Sequence, residues 1–374
     1  MLIRAAVLET IGAPPPYASS LPLRIREVEL DPPGPGEVLV RIRAAGLCHS
    51  DLSVISGDRP RPVPMVLGHE SAGEVVACGA GVDDLAPGDR VVLVFMPSCG
   101  CCAPCAEGRP ALCEPGAAAN GAGTLLSGQR RLHAGGVTLN HHIGVSCFAE
   151  HAVVSRRSCV KVETDLSDRE LALFGCAVLT GAGAVINTAR VQAGSTVAVV
   201  GLGGVGFSAL LAALASGARE VVALDLNAGK LALARELGAT AAIDAGAADA
   251  AEQVRALTRG GVDYAFEMAG AVAALDLAWR ITRRGGSTVT AGLPHPDRRF
   301  QLPPVQLVAE ERTLRGSYIG SAVPMRDIPR YIDLYRRGRL PVDRLMGDTL
   351  ALDEINRGFD RLAKGDALRD VVIF

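Results

Sequence analysis

The chain has 374 residues, 49% of them hydrophobic, more than one core normally serves, so two domains are expected. A formal net charge of -2 gives no reason to look for a nucleic acid or an anionic membrane, and no apolar run reaches the roughly 18–20 residues of a membrane span. Forty-three glycines and only 4% aromatics favour tight βα turns and aliphatic cores over an aromatic-rich all-β design. The opening Met1-Leu2-Ile3-Arg4 lacks the long apolar stretch of a signal peptide, so a cytoplasmic location is the default expectation.

Ten cysteines in such a chain read as ligands or buried thiols rather than disulfides. Five fall between Cys99 and Cys113 and none follows Cys176, which assigns cysteine chemistry to the first half.

Residues 1–47 read as β structure. Leu23–Val28 and Glu37–Arg43 alternate as half-buried strands do, and the Pro/Gly run at 32–36 is the turn between them. Ala45-Gly46-Leu47-Cys48-His49-Ser50-Asp51 is a Gly-led break that opens a short helix, with Ser50 or Asp51 near its cap. Met65-Val66-Leu67-Gly68-His69-Glu70 then sets a His and a Glu side by side. Alone, that pair reads as a surface pair or a satisfied core histidine. It becomes a metal candidate only if Cys48 and Cys176 converge on it. Further strands are expected at 71–77 and 89–95, completing a β-rich N-terminal domain.

Cys99, Cys102, Cys105 and Cys113 are separated by two, two and seven residues. Loops this short let four thiolates close a tetrahedron about 2.3 Å from a zinc ion, the arrangement of a closed structural site. An iron–sulfur cluster also takes four cysteines, and two disulfides are the plain alternative. Cys101 is left over and is expected to be a free thiol. Residues 114–145 are rich in Gly and Ala and read as an irregular loop. Their histidines, His133, His141 and His142, have no carboxylate or thiol at a helpful spacing and are not read as ligands.

After Ser167 short apolar runs alternate with Ala/Leu-rich helical stretches, the rhythm of βαβ units. Strands are expected at 196–200, 220–225, 240–243, 262–267, 287–291 and 313–318, and helices near 204–216, 228–237, 249–258 and 271–283. Thr196–Val200 runs directly into Gly201-Leu202-Gly203-Gly204-Val205-Gly206 and then an apolar helix. Strand before and helix after is the context a dinucleotide fingerprint needs. Gly201 makes the tight turn, Gly203 lets the backbone approach a pyrophosphate, and Gly206 permits close helix packing. Asp225 ends the next strand, where a carboxylate accepts the ribose hydroxyls of NAD and repels a 2′-phosphate; the competing reading is a helix N-cap. Lys230 is either a ribose contact or a solvated helix lysine.

Taken together, Cys48–Asp51, Gly68-His69-Glu70, the four-cysteine lobe, Gly175–Gly181, the Gly201–Gly206 turn and Leu368-Arg369-Asp370 resemble the zinc-dependent medium-chain alcohol dehydrogenases over essentially the whole chain. The resemblance implies an α/β fold in two parts. A GroES-like β-rich catalytic domain takes residues 1–177, with a structural zinc lobe at 97–115, and is completed by 321–374. A Rossmann doubly wound parallel sheet at 178–320 binds NAD. It implies two zinc ions per subunit, a catalytic one on Cys48, His69 and Cys176 and a structural one on Cys99, Cys102, Cys105 and Cys113. Asp51 would hold the His69 ring, and Glu70 would lie near the metal or be purely structural. Ser50 would take the alcohol proton. A His found two residues past the Asp in many relatives is Ser53 here, so water or ribose must finish the relay.

The resemblance further implies that His49 and Arg369 contact the pyrophosphate, unless they are ordinary surface residues. Thr180 and Val205 would pack on the nicotinamide, with the backbone near Gly292, Leu293, Ser317 and Ile319 reaching its carboxamide. Phe95 matches a substrate-pocket position and favours apolar primary alcohols, aryl or allylic, oxidised reversibly to aldehydes. Two other readings stand beside this one. One is an S-(hydroxymethyl)glutathione (formaldehyde) dehydrogenase, which carries a basic residue shortly after the last lobe cysteine where this chain has Glu114-Pro115-Gly116-Ala117-Ala118. The other is a non-catalytic NAD-binding redox sensor, which would be expected to have lost a ligand or the fingerprint. A homodimer joined near 301–318 is expected, with tetramers known in the family.

Overall fold

Whether a strand is covered on one face or two is written in its residue order. Thr196–Val200 is apolar almost throughout and buried at all five positions. Leu23–Leu30 instead leaves Arg24, Arg26, Glu27 and Glu29 exposed and turns Leu23, Val28 and Leu30 inward. In the computed structural model, which describes every residue except Asp366 and Ala367, these two kinds of strand belong to two compact units. One unit comprises Met1–Cys176, Val323–Pro329 and Asp343–Phe374; the other comprises Ala177–Ala322 and Arg330–Val342.

In the first unit five strands close a barrel. Leu2–Leu8 pairs with Leu23–Leu30, then come Leu132–Ala134, Val137–His141 and Met65–Val66, which returns to Leu2–Leu8. Ile3, Val7, Val28, Leu30, Val66, Leu132 and Leu139 fill it. A second sheet runs Cys159–Lys161, Arg90–Leu93, Ser71–Cys78, Glu37–Gly46, Val371–Ile373 and Thr349–Leu350, with His151–Ser155 also paired to Glu37–Gly46. The C-terminal strand Val371–Ile373 thus lies beside the N-terminal strand that leads into Cys48.

Residues 114–145 are not the irregular loop their composition suggested. Glu114–Ala122 is a helix, and Leu132–Ala134 with Val137–His141 is a hairpin of the barrel. The alanines act as good helix formers, and Pro115 sits in the first turn, where a missing N–H costs nothing. Gly135 and Gly136, at φ +56° and +79°, supply the two positive angles a tight hairpin turn requires.

The second unit holds six parallel strands. Numbered in chain order from Thr196–Val200, they lie 3-2-1-4-5-6: Ala241–Asp244, Glu220–Asp225, Thr196–Val200, Val262–Glu267, Thr282–Thr290 and Thr313–Gly316. The helices Gly204–Ala215, Ala228–Glu236, Ala250–Leu257 and Val272–Ile281 connect the first five. Ala198, Val200, Val222, Leu224, Val254 and Ile281 form part of one core layer. The order reverses beside Thr196–Val200, and ligands of such sheets sit at the carboxyl ends at that switch. The fifth strand starts earlier than expected, at Thr282, because Val262 pairs with Thr282 before a bulge shifts the register. Among the described residues no single helix is long and apolar enough to cross a membrane.

Candidate active site

Strand register brings the first two candidate ligands together. Ala44 faces Ala72 and Ala45 faces Ser71. Continuing that register past the strand ends sets Cys48 across from Gly68, beside His69. The Gly46 N–H donates to the Glu70 carbonyl at 2.8 Å and keeps the two segments joined there. Gly68 takes φ +93°, and a Cβ on it would stand 2.5 Å from the Phe148 nitrogen, so the approach to His69 tolerates only glycine. Cys48 is the N-cap of the helix His49–Ser56, which places Ser50 and Asp51 in its first turn rather than at its cap.

The third candidate comes from the far end of the unit. Leu173–Gly175 is a turn of 3-10 helix, and a Cβ on Gly175 would lie 2.3 Å from the Leu93 carbonyl oxygen. Leu93 itself faces Ser71. Cys176 therefore arrives beside the same strand end, and its Sγ lies 3.5 Å from His69 Nε2. The ligand atoms of Cys48, His69 and Cys176 all lie within 4.8 Å of one another, and all three residues are buried. Two thiols and an imidazole at this spacing fit a zinc ion and leave one coordination position over, as catalytic zinc requires.

The surroundings favour charge separation. The Cys48 thiol is held well below its ordinary range, first by its hydrogen bond with Cys176 and then, against burial, by the charges of Arg369 and His69. Asp51 is fully buried, yet its carboxyl is lowered: burial raises it, but His69 and His142 outweigh that. Its Oδ1 accepts from the Gly68 N–H at 3.1 Å and lies 3.1 Å from His69 Nδ1. Glu70 is buried and its charge reaches Cys176. Its Oε2 is 3.3 Å from Arg369 Nη1, which also donates to the Leu47 carbonyl at 2.6 Å. Arg369 is only 3% exposed, so it is no surface residue, whereas His49 is exposed. Ser50 is half-buried. The Ser53 hydroxyl donates to the His49 carbonyl at 2.8 Å. Phe95 stands edge-on to the His69 ring, centroids 5.3 Å apart, with its carbonyl accepting from Asn120 Nδ2 at 2.8 Å. The helix Glu114–Ala122 thus anchors a wall of this site.

In the lobe, the Sγ atoms of Cys99, Cys102, Cys105 and Cys113 lie within 4.8 Å of one another. Backbone N–H groups of Cys101 and Cys102 point at Cys99 Sγ, and those of Cys99 and Gly116 at Cys113 Sγ. The Cys101 and Cys102 N–H groups bring the Cys99 thiol down to about 6. Four sulfurs so supported fit a closed zinc site. All ten cysteines are free thiols, so the two-disulfide alternative is not formed. Cys101 stays outside the four, exposed, with its Sγ 3.7 Å from that of Cys99.

The fingerprint turn has the shape a dinucleotide needs. Gly201 takes φ +93°, and a Cβ on Gly206 would fall 1.8 Å from the Gly201 oxygen. Around Gly203, the N-cap of the helix Gly204–Ala215, a Cβ would meet nothing within 4 Å, which leaves open space where a pyrophosphate would reach the backbone. Asp225 ends the adjacent strand and accepts from the Leu202 and Asn227 N–H groups at 2.6 and 2.9 Å. The N-cap of the following helix is Asn227, not Asp225, and Lys230 is half-buried in that helix's first turn. Thr180 is buried on Ala177–Gly183, a helix packed so closely on Val205 that a Cβ on Gly181 would lie 2.2 Å from its oxygen. Ile319 is buried at φ +49° and Leu293 is exposed.

Comparison with known proteins decides the family. The alcohol dehydrogenase GroES-like domain matches residues 34–164, and the zinc-binding dehydrogenase domain matches 204–337. Geraniol dehydrogenase of Castellaniella defragrans is 40% identical over 374 residues, 99% of this chain and 97% of that one. The chain belongs to the zinc-dependent medium-chain alcohol dehydrogenases. S-(hydroxymethyl)glutathione dehydrogenase of Paracoccus denitrificans is 36% identical over the full length of both chains. The crystal structure of benzyl alcohol dehydrogenase from Acinetobacter calcoaceticus superimposes with a TM-score of 0.93 at 34% identity, covering 100% of this chain and 99% of that one. As a zinc-dependent alcohol dehydrogenase, the protein is an NAD-dependent oxidoreductase acting on small alcohols and aldehydes.

One residue of this dehydrogenase's site was missed in the sequence. His142 is 1% exposed, and its Nδ1 lies 3.1 Å from Asp51 Oδ1. The other two loop histidines have ordinary partners: His133 meets Asp31, and His141 accepts from the Arg131 N–H. The carboxylate that matters to His142 is 91 positions upstream, so local spacing carried no signal of it.

Proposed function

We propose that this dehydrogenase oxidises apolar primary alcohols, aryl or allylic, to aldehydes with NAD, reversibly. The observation that carries the proposal is the buried Cys48–His69–Cys176 cluster with the Phe95 ring edge-on to His69. Relatives named for geraniol and for benzyl alcohol support the substrate class. Bound zinc supplies Lewis-acid withdrawal of charge from an alcohol oxygen, and bound NAD supplies the hydride acceptor. Cys48, His69 and Cys176 hold that zinc, while Cys99, Cys102, Cys105 and Cys113 hold a structural one.

The chain's own residues do the rest. Asp51 fixes the His69 ring, so that Nε2 faces the two sulfurs. The Ser50 hydroxyl oxygen would accept the alcohol proton as it passes its own proton to the cofactor ribose, and water or ribose finishes the transfer. Ser53 does not extend the relay, because its hydroxyl is committed to the His49 carbonyl and has no basic nitrogen. Phe95 gives an aryl or allylic chain an apolar wall. Gly203 and the first turn of its helix receive the pyrophosphate, Thr180 and Val205 pack against the nicotinamide, and Asp225 selects NAD over NADP by like-charge repulsion of a 2′-phosphate. In this reading residues 1–177 and 321–374 carry the chemistry, and 178–320 bind NAD.

The working form is a homodimer joined through the sheet edge near 301–318; Val305 and Val308 there are 67% and 80% exposed. Ten free thiols support a cytoplasmic location.

Glutathione-dependent formaldehyde oxidation is the second reading, favoured by the Paracoccus relative. The helix Glu114–Ala122 has no basic side chain to hold a glutathione carboxylate, which weighs against it. Initial rates of NAD reduction separate the two readings. Benzyl and allylic alcohols faster than ethanol and hexanol support the first. Flat rates across the panel overturn it, and formaldehyde turnover that depends on glutathione establishes the second.

A further inference from the structure

His142 has no part in the chemistry set out above, yet it is buried against the centre of it. The segment that carries it is pinned: Ser146 Oγ accepts from the His142 N–H at 2.8 Å and donates to the Val66 carbonyl at 2.8 Å. Val66 belongs to the short strand leading into His69, and it pairs with His141 in parallel. The same two-residue pairing therefore fixes the approach to His69 and the approach to His142. Ring faces confirm the placement, since the His69 and His142 imidazoles stand edge to face with centroids 5.5 Å apart. Between them is Asp51, fully buried. Its Oδ1 is 3.1 Å from each ring's Nδ1, while its Oδ2 has no hydrogen-bond partner among the described residues. The His142 contact does not have the geometry of a good hydrogen bond, so it is a close approach of the imidazole to the carboxylate charge.

The alternatives for this carboxylate are limited. Asp51 is fully buried, and among the described residues the Gly68 N–H donates to its Oδ1 at 3.1 Å. A carboxylate held at Oδ1 by the Gly68 N–H and His69 can still turn about that oxygen, taking the His69 ring with it. A second imidazole against the same oxygen adds a further contact that opposes that motion. We propose that His142 is a positioning residue for the catalytic metal: it holds Asp51, which holds His69 in the orientation that aims Nε2 at Cys176. This rests on the reading of Cys48, His69 and Cys176 as a zinc site. Partners that orient a metal-bound histidine typically change metal affinity or activity by about 10–100-fold when lost. His142 acts one contact further out, so an effect near the lower end, about tenfold, is expected.

The test uses the full-length zinc-loaded enzyme and two variants of nearly equal shape, His142→Asn and His142→Leu. Asparagine places an N–H close to where histidine Nδ1 stands; leucine places none. Zinc per chain and the rate of zinc transfer to a colorimetric chelator are measured, together with the unfolding midpoint. The proposal expects wild type and His142→Asn to hold two zinc ions and release them alike. It expects His142→Leu to release the ion held by Cys176 about tenfold faster. The ion is assigned by its absence in Cys176→Ser. Equal release by all three proteins overturns the proposal, as does equal acceleration in Asn and Leu, which would mean that the imidazole only fills space. If wild type holds no zinc that Cys176→Ser lacks, the site reading itself fails and takes this inference with it. Should His142→Leu not fold, faster release from His142→Asn than from wild type still overturns the proposal, and equal release with a folded His142→Ala releasing faster supports it.

Discussion

Glu70 and Arg369 form an ion pair, Oε2 to Nη1 at 3.3 Å, with side chains 0% and 4% exposed. Burial alone would lower the arginine, but the charges of Glu70, Cys48 and Cys176 hold its guanidinium firmly protonated. A buried pair of this kind is weak evidence of stabilisation, because desolvation offsets most of its attraction. Breaking it is another matter.

Glu70→Ala takes the carboxylate from a buried guanidinium and leaves it the Leu47 carbonyl at 2.6 Å and the Cys48 thiol. The expected loss in unfolding free energy is about 3–5 kcal/mol. Glu70→Leu combined with Arg369→Leu removes both charges and should recover a good part of that loss. Denaturant midpoints of the single and double variants check this; a double variant worse than the sum of its singles would contradict it.

Asp225 gives a cofactor prediction. Replacing it by Ser removes the charge proposed to face a 2′-phosphate and the carboxylate acceptor of the Leu202 and Asn227 N–H groups. Wild type should favour NAD, and Asp225→Ser should cut the NAD-to-NADP ratio of kcat/KM by about tenfold or more, the scale of one hydrogen bond to a charged group. A wild type that prefers NADP would refute the role given to Asp225.

The two halves of the fold were not equally legible in the sequence. The parallel sheet announces itself, because a strand buried on both faces must be a continuous apolar run, and Thr196–Val200 followed by Gly201–Gly206 is such a run with its turn attached. The lobe is legible for the same reason of locality: its four thiols lie within 15 consecutive residues. Cys48, His69 and Cys176 are scattered. Only the family resemblance joined them, and the register of Ala45 on Ser71 supplies the physical reason they meet. Residues 114–145 misled, since the same Gly/Ala composition serves a loop, an alanine helix or a Gly-Gly hairpin. His142 was lost with them.

The lobe supplies a prediction about the spare thiol. Cys113→Ser should remove one zinc ion per chain and lower the unfolding midpoint, since the metal closes this loop. Cys101→Ser should keep both ions and the midpoint, because Cys101 is exposed and outside the four-sulfur cluster. Metal content by mass spectrometry and thermal unfolding check both outcomes.

Acid should weaken the fold partly through His141. Burial, with the charges of Arg130, Arg131 and His133, lowers this imidazole from 6.5 to about 3. A histidine harder to protonate when folded contributes stability that is complete above its unfolded value and is lost as pH falls below it. The loss therefore runs from about pH 6.5 down toward pH 3, at about 1.4 kcal/mol per pH unit. His141→Gln keeps an acceptor for the Arg131 N–H and removes the titration. Between pH 7.5 and pH 5 wild type should lose about 2 kcal/mol more than this variant. Parallel stability–pH curves would contradict the assignment.

The most direct test of the account is to count zinc and measure benzyl alcohol oxidation in the same preparations of wild type and Cys176→Ser. The account predicts two zinc ions and NAD-linked turnover in wild type, and one ion with turnover at background in the variant. A variant that keeps both ions and oxidises the alcohol at the wild-type rate would contradict it.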